Sequence, residues 1–185
     1  MKLIKGSLSA ISKVENKTLA ESFMSCDVLI LADMSSSMGA KDAPGNKSRY
    51  DVAEQDIIRL QETYQGKVAL VVFANDVQFC PSGYPIRLGG DTELSKALQF
   101  IKPADNCGIK IVIVSDGEPN NPTEALGIAR GFSNKIDCIF VGPENDLRGG
   151  RKFLEKLANA AGGSFVQSDA PGLLAESVER LLLTA

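Results

Sequence analysis

Four short apolar runs rich in β-branched residues constrain the fold more than any other feature of this chain. They are DVLILAD (27–33), KVALVVFA (67–74), KIVIVSD (110–116) and IDCIFVG (136–142). Each is nearly continuous rather than alternating, the pattern of strands covered on both faces in a parallel sheet. A fifth run, GSFVQSD (163–169), is more polar and suits an edge. Helical spacing fills the intervals. Residues 48–64 open on Ser48-Arg49-Tyr50-Asp51, an S-x-x-D start that caps a helix, and continue through Val52, Ile57, Ile58 and Leu60. The same spacing recurs over 92–101, over 123–132 and over 151–161, which stops at Gly162-Gly163. The sequence ends on PGLLAESVERLLLTA, with Pro171 near a helix start.

This alternation predicts an α/β fold: a doubly wound, mostly parallel six-stranded sheet with helices on both faces and right-handed crossovers. The expected strand order is 3-2-1-4-5-6. One connection is too short for a crossover. NDVQFCPSG (75–83) can only turn the chain back, which predicts a short antiparallel edge strand around 77–80. Residues 1–24 lie outside the repeat and read as a weakly helical extension packed on a domain spanning 25–185. A chain of 185 residues buries roughly 70% of its unfolded surface, so it needs neither disulfides nor a structural metal to fold.

Several function classes drop out. The net charge of −3, with scattered basic residues, gives no electrostatic reason to expect nucleic acid or an anionic membrane. The four cysteines, Cys26, Cys80, Cys107 and Cys138, form no C-x-x-C pair, which argues against a zinc site or a disulfide framework. Cys26 and Cys138 adjoin apolar runs and read as small hydrophobes. There is no histidine, which excludes Ser-His-Asp and Cys-His nucleophiles and His-based zinc hydrolases. The opening MKLIKGSLSAISK lacks the apolar core of a secretory leader, and no run approaches the roughly 18 residues that span a bilayer. The expected compartment is the cytoplasm.

The chemistry concentrates at the strand ends. In open α/β sheets, ligands bind at the carboxyl ends of strands where the strand order reverses. The first strand and the strand at 110–116 flank that crevice, and they end in Asp33 and Asp116. Adjacent strands lie about 4.8 Å apart, so the two carboxylates face one small space. Like charges so placed force one group to protonate unless a cation neutralises them. Beyond Asp33 the chain reads MSSSMG. Asp33, Ser35 and Ser37 can aim one carboxylate and two hydroxyls at one centre, with Gly39 permitting the turn away. A further oxygen can come from GGDTEL (89–94), at Thr92 or its neighbour Asp91. All these donors are hard oxygens, which suits Mg²⁺ best, with Mn²⁺ or Ca²⁺ as alternatives.

Each residue also has an ordinary structural role open to it. Asp33 with the serines could form a capped turn, and Asp116 an Asx turn into Gly117-Glu118-Pro119. Thr92 or Asp91 could cap the following helix. Glu118 reads as a solvated turn carboxylate, and Arg148, Arg151 and Lys152 as a solvated helix start.

D-x-S-x-S after the first strand, a threonine before a mid-chain helix and S-D-G at the end of the fourth strand (110–116) resemble the von Willebrand factor type A domain. The match is to its metal-ion-dependent adhesion site, in the bacterial or phage stand-alone type, and covers roughly residues 25–185. The resemblance implies that Asp33, Ser35 and Ser37 form the first metal loop, Thr92 the second and Asp116 the third. It implies a non-enzymatic module whose bound cation coordinates a Glu or Asp carboxylate of a partner protein. Stand-alone bacterial members suggest partners such as AAA+ ATPases of the MoxR type, or components of stress-response and phage-defence clusters. The alternatives are a Mg²⁺-dependent phosphohydrolase using Asp33 as nucleophile, or a structural subunit whose metal site goes unused. The first lacks the second aspartate of the D-x-D that haloacid-dehalogenase-like phosphatases require. Neither G-x-G-x-x-G nor a P-loop is present.

Overall fold

The apolar runs pair into one six-stranded sheet with the order β3-β2-β1-β4-β5-β6. The strands are β1 (Val28–Asp33), β2 (Val68–Phe73), β3 (Val77–Phe79), β4 (Lys110–Ser115), β5 (Ile136–Val141) and β6 (Gly162–Ser168). The computed structural model describes residues 2–43, 45–143, 149–168 and 173–183. All pairings are parallel except that of β2 with β3, where the short connection turns the chain back as its length requires. The helices among the described residues are α1 (Leu8–Glu15), α2 (Leu19–Met24), α3 (Arg49–Thr63), α4 (Leu94–Ile101), α5 (Pro122–Arg130), α6 (Gly150–Ala160) and α7 (Leu173–Leu183). Pro171, read from the sequence as lying near the start of the last helix, falls outside the described residues.

Every residue of β1 and β2 is buried, because both sheet faces are covered. Successive side chains of a strand point to opposite faces. Leu29 and Leu31 accordingly join a core with α1, α4, α5 and α6, while Val28, Ile30 and Ala32 join a second core with α3 and α7. That double coverage is why the runs are apolar at every position instead of alternating. β6, the polar run, occupies the far edge.

Helix starts follow the local chemistry. Ser48 accepts from the Asp51 N–H, and Asp51 accepts from the Ser48 N–H, so S-x-x-D closes a reciprocal cap at α3. Thr18 and Glu21 do the same for α2. Ahead of β1, the N-terminal segment is stitched to the sheet domain by backbone bonds from Ile4 to Ser82 (3.0 Å), Ser9 to Pro81 (2.8 Å) and Gly66 to Gly6 (2.8 Å). Leu8 is buried in the same core as Leu29.

One buried carboxylate does purely structural work. Asp105, just beyond α4, accepts from the backbone N–H groups of Ser133 (2.9 Å) and Asn134 (2.8 Å) and pairs with Lys102 (2.7 Å). It thereby ties the end of α4 to the loop entering β5. Burial alone would raise its pKa, but Lys102 and the two amides outweigh it and hold the group down at about 2. A carboxylate with a depressed folded pKa stabilises above its unfolded pKa and loses that contribution as pH falls toward the folded value. Asp105→Ala is therefore expected to cost about 2 kcal/mol at pH 7. The deficit should close between about pH 4 and pH 2, which urea melts of both proteins across that range would read.

Candidate metal centre

The reversal of strand order lies between β1 and β4, the two neighbours whose crossovers leave in opposite directions. Asp33 ends β1 opposite Phe73 of β2, and Asp116 follows directly on Ser115, the last residue of β4. The first loop begins with an Asx turn: the Ser35 N–H donates to Asp33 Oδ1 (2.8 Å). Asp33 Oδ2 accepts from the Ser115 hydroxyl (2.6 Å), which bridges the two strand ends. Ser35 Oγ and Ser37 Oγ share a hydrogen bond (3.0 Å), and Ser37 Oγ donates to Asp116 Oδ1 (2.7 Å). Asp33, Ser35, Ser37 and Asp116 thus form one polar chain across the crevice.

Two further segments hold this loop in place. The Tyr50 hydroxyl, on the first turn of α3, points at the carbonyls of Met34 (3.0 Å) and Ser35. The second loop is clipped to the first by Gly89 N–H to Met34 O (2.8 Å), Ser36 N–H to Gly90 O (2.9 Å) and Gly90 N–H to Ser36 Oγ (2.8 Å). Gly90 has φ +88°, and a Cβ there would lie 2.5 Å from Asn75 Nδ2, so a side chain would strain the backbone and push the Asn75 amide aside. Gly39, by contrast, has no positive φ; it closes a single 3-10 turn over Ser36–Gly39. The left-handed residues that shape the site are Gly89 and Gly90 instead.

These loops surround a cleft of about 630 Å³ lined by Ser35, Ser37, Thr92, Asp116, Glu118 and Asn120, among others. Thr92 is buried and Asp91 exposed, though both line the cleft. Neither caps α4, whose N-cap is Glu93 without a side-chain bond. The Thr92 carbonyl instead accepts from the Asn120 N–H (3.1 Å), joining the second loop to the third. Asp33 does not line the cleft. It is wholly buried and meets the cleft through its hydrogen-bonded neighbours, so it is a charge beneath the site. Asp116 forms no Asx turn; the Gly117 N–H goes to Ser115 Oγ (3.2 Å). Glu118 is exposed at the rim. Arg151 and Lys152 are exposed on α6, and Arg148 lies outside the described residues.

The third loop is also packed from behind. A Cβ at Gly150, the first residue of α6, would come within 2.8 Å of Gly117 Cα and 3.0 Å of the Asp116 carbonyl oxygen. The helix end sits directly against the loop backbone.

Electrostatically the described part of the centre is acidic. Burial, reinforced by the neighbouring Asp116 and opposed by the Ser115 and Ser35 bonds, pushes the Asp33 carboxyl up to about 6. Arg49, at the start of α3, is the cation that touches the cluster among the described residues. It pairs with Asp116 Oδ2 (2.5 Å) and with Asp42. Among the described residues, Asp33 and Asp116 thus face one guanidinium, which also pairs with Asp42. No group of three or more Asp, Glu, Cys or His positioned to hold a metal occurs among the described residues. A cation here would be held by two carboxylates and hydroxyls, an all-oxygen donor set that fits a hard divalent ion. Arg49, Tyr50 and Ser115 are the residues that sequence reasoning did not place here. Arg49 and Tyr50 stood in the helix-start motif, read there only for its cap.

No protein-family model matches the sequence, and no curated protein matches it. Among solved structures, the chain is similar to an aerotolerance-related membrane protein from Bacteroides fragilis carrying multiple mutations to serine. The identity is 18%, the TM-score 0.65, and the match covers 86% of this chain and all of that one. It is similar to the conserved hypothetical protein BatB from Bacteroides thetaiotaomicron, at 18% identity and TM-score 0.61 over 86% of this chain and all of the other. It is also similar to a von Willebrand factor type A protein from Catenulispora acidiphila, at 18% identity and TM-score 0.58, over 85% of this chain and 42% of that one. At such identities the likeness concerns the path of the chain rather than its chemistry. Together with the mixed sheet and its single antiparallel edge strand, it establishes that this chain has the von Willebrand factor type A fold.

Proposed function

We propose that this protein is a non-enzymatic protein-binding module in which a divalent cation, Mg²⁺ before Mn²⁺ or Ca²⁺, receives a Glu or Asp carboxylate from a partner protein. Asp33, Ser35, Ser37, Thr92 and Asp116 would hold the ion, as the resemblance to the metal-ion-dependent adhesion site implies. The observation that carries this reading is the hydrogen-bonded chain Asp33–Ser115 and Ser35–Ser37–Asp116, which sets two carboxylates and two serine hydroxyls together at the reversal of strand order. Two carboxylates offset the charge of the ion, and hydroxyls add none, so the ion stays electrophilic toward an incoming carboxylate. Such a contact, charge-assisted and partly withdrawn from water, can dominate an interface.

Within this reading the residues divide the work. Ser37 and Asp116 wall the cleft, Asp33 supplies charge from below, and the Gly89–Gly90 turn brings Thr92 to the opposite wall. The burial of Asp33, with hydrogen bonds to both oxygens, speaks against its use as a phosphohydrolase nucleophile, because a nucleophile must reach its substrate. A partner such as a MoxR-type AAA+ ATPase or a component of a stress or phage-defence system rests on the resemblance alone, and the cytoplasmic setting is carried over from the sequence reading. Among the described residues no helix is long and apolar enough to cross a membrane.

The test is an affinity capture from the native host's lysate with three baits: wild type in Mg²⁺, wild type in EDTA, and Asp33→Ala in Mg²⁺. A protein retained only by the first is the expected result. Identical captures in all three would overturn the reading in favour of a structural subunit.

A further inference from the structure

Arg49 occupies an unfavourable place for a cation. It is the first residue of the fifteen-residue helix α3, where the positive end of the helix dipole repels it. Its backbone is fixed there by the reciprocal cap of Ser48 and Asp51 and by a bond from its N–H to Ala40 O (3.2 Å). The guanidinium is spread between two carboxylates. One terminal nitrogen lies 2.5 Å from Asp116 Oδ2; Nε (3.0 Å) and the other terminal nitrogen grip Asp42 in a two-pronged contact. The Arg49 side chain is 12% exposed, that of Asp116 is fully buried, and that of Asp42 is 39% exposed. Helix stability does not account for this placement, but the two carboxylates do.

We propose that Arg49 is a built-in competitor for the divalent cation, neutralising Asp116 while the centre is empty and lowering its affinity for the ion; this rests on the cation-dependent reading above. Asp116 gives one oxygen to Arg49 and the other to the Ser37 hydroxyl. A cation entering between the first and third loops must share or take over a carboxylate that the guanidinium already holds, and it meets a like charge at close range. Asp42 gives the guanidinium a second anchor, so releasing Asp116 does not leave Arg49 unpaired. The arrangement keeps the metal-free cluster folded and sets a threshold for loading. A guanidinium suits this role better than an ammonium, because its fork bridges two carboxylates at once and it stays protonated at any working pH.

The experiment is calorimetric titration with Mn²⁺ and with Mg²⁺ of wild type, Arg49→Gln, Asp42→Asn and Asp33→Asn, alongside thermal melts in EDTA. Arg49→Gln is expected to bind Mn²⁺ roughly tenfold tighter than wild type or more, and to melt lower in EDTA. A residue that only braces the fold would lower the melting point without tightening the ion. Asp42→Asn is expected to bind roughly threefold more weakly, because it removes a negative charge and leaves Arg49 to Asp116 alone. Equal or weaker binding by Arg49→Gln overturns the proposal. Should that variant fail to fold, Asp42→Asn decides, and unchanged or tighter binding by it overturns the proposal instead. If wild type binds, Asp33→Asn does not, and Arg49→Gln equals wild type, only the competitor role fails. If neither wild type nor Arg49→Gln takes up either ion, the cation reading falls and the competitor role with it.

Discussion

Asp33→Asn is expected to abolish cation binding while stabilising the metal-free protein by about 1–3 kcal/mol at pH 7. The two effects have one cause. Asp33 is wholly buried, its hydrogen-bond donors are the neutral Ser35 N–H and Ser115 hydroxyl, and Asp116 lies close enough to raise its pKa further. Without an ion, that charge costs folding free energy. Asparagine preserves the shape and keeps an oxygen for the Ser35 N–H, but removes the charge. In EDTA the variant should therefore melt above wild type. In saturating Mg²⁺ the order should reverse, because only wild type gains the free energy of binding, about 4.1 kcal/mol at one thousand times Kd. Melting curves in EDTA and in Mg²⁺ for both proteins check this. An Asp33→Asn protein that melts below wild type in EDTA would show that the carboxylate serves the fold itself.

The largest stability effect should come from a residue one strand away. Phe73 ends β2 opposite Asp33, is fully buried, and accepts from the Met34 N–H through its carbonyl (2.7 Å). Phe73→Ala would remove an aromatic ring from the core that joins β1, β2 and α4, at a cost of about 3–5 kcal/mol. Total stability for a domain is about 5–15 kcal/mol, so this could consume half of it. The urea midpoint should fall at nearly constant slope, since the surface exposed on unfolding changes little. The Met34 bond uses backbone atoms and survives the substitution, so cation affinity should change far less than stability. Comparable losses in both would mean that the ring itself holds the first loop in register.

The fold was legible because its signals are local and redundant. A strand covered on both faces must be apolar at each position, and the few residues after β2 cannot cross a sheet before the next strand; the four main strands and the antiparallel β3 follow from those two facts. The Ser48–Asp51 cap is equally local. Arg49 was not legible for the opposite reason. Its partner Asp116 is 67 residues away in sequence, and only closure of the sheet between β1 and β4 brings the two together. Ser115 was hidden in the same way: its bond to Asp33 spans 82 residues. At Gly39, where the sequence places the turn away from the strand, the chain makes a 3-10 turn without left-handed backbone, and the left-handed residues beside the site are Gly89 and Gly90.

The absence of a side chain at Gly150 lets the first turn of α6 lie directly against the backbone of Asp116 and Gly117. The two fit together with no side chain between them to yield, so a larger residue at position 150 would have to displace either the loop or the helix. That helix has eleven residues and is about 16 Å long. That close fit ties the position of Asp116 to the seating of α6, whose far end at Ala160 leads into β6.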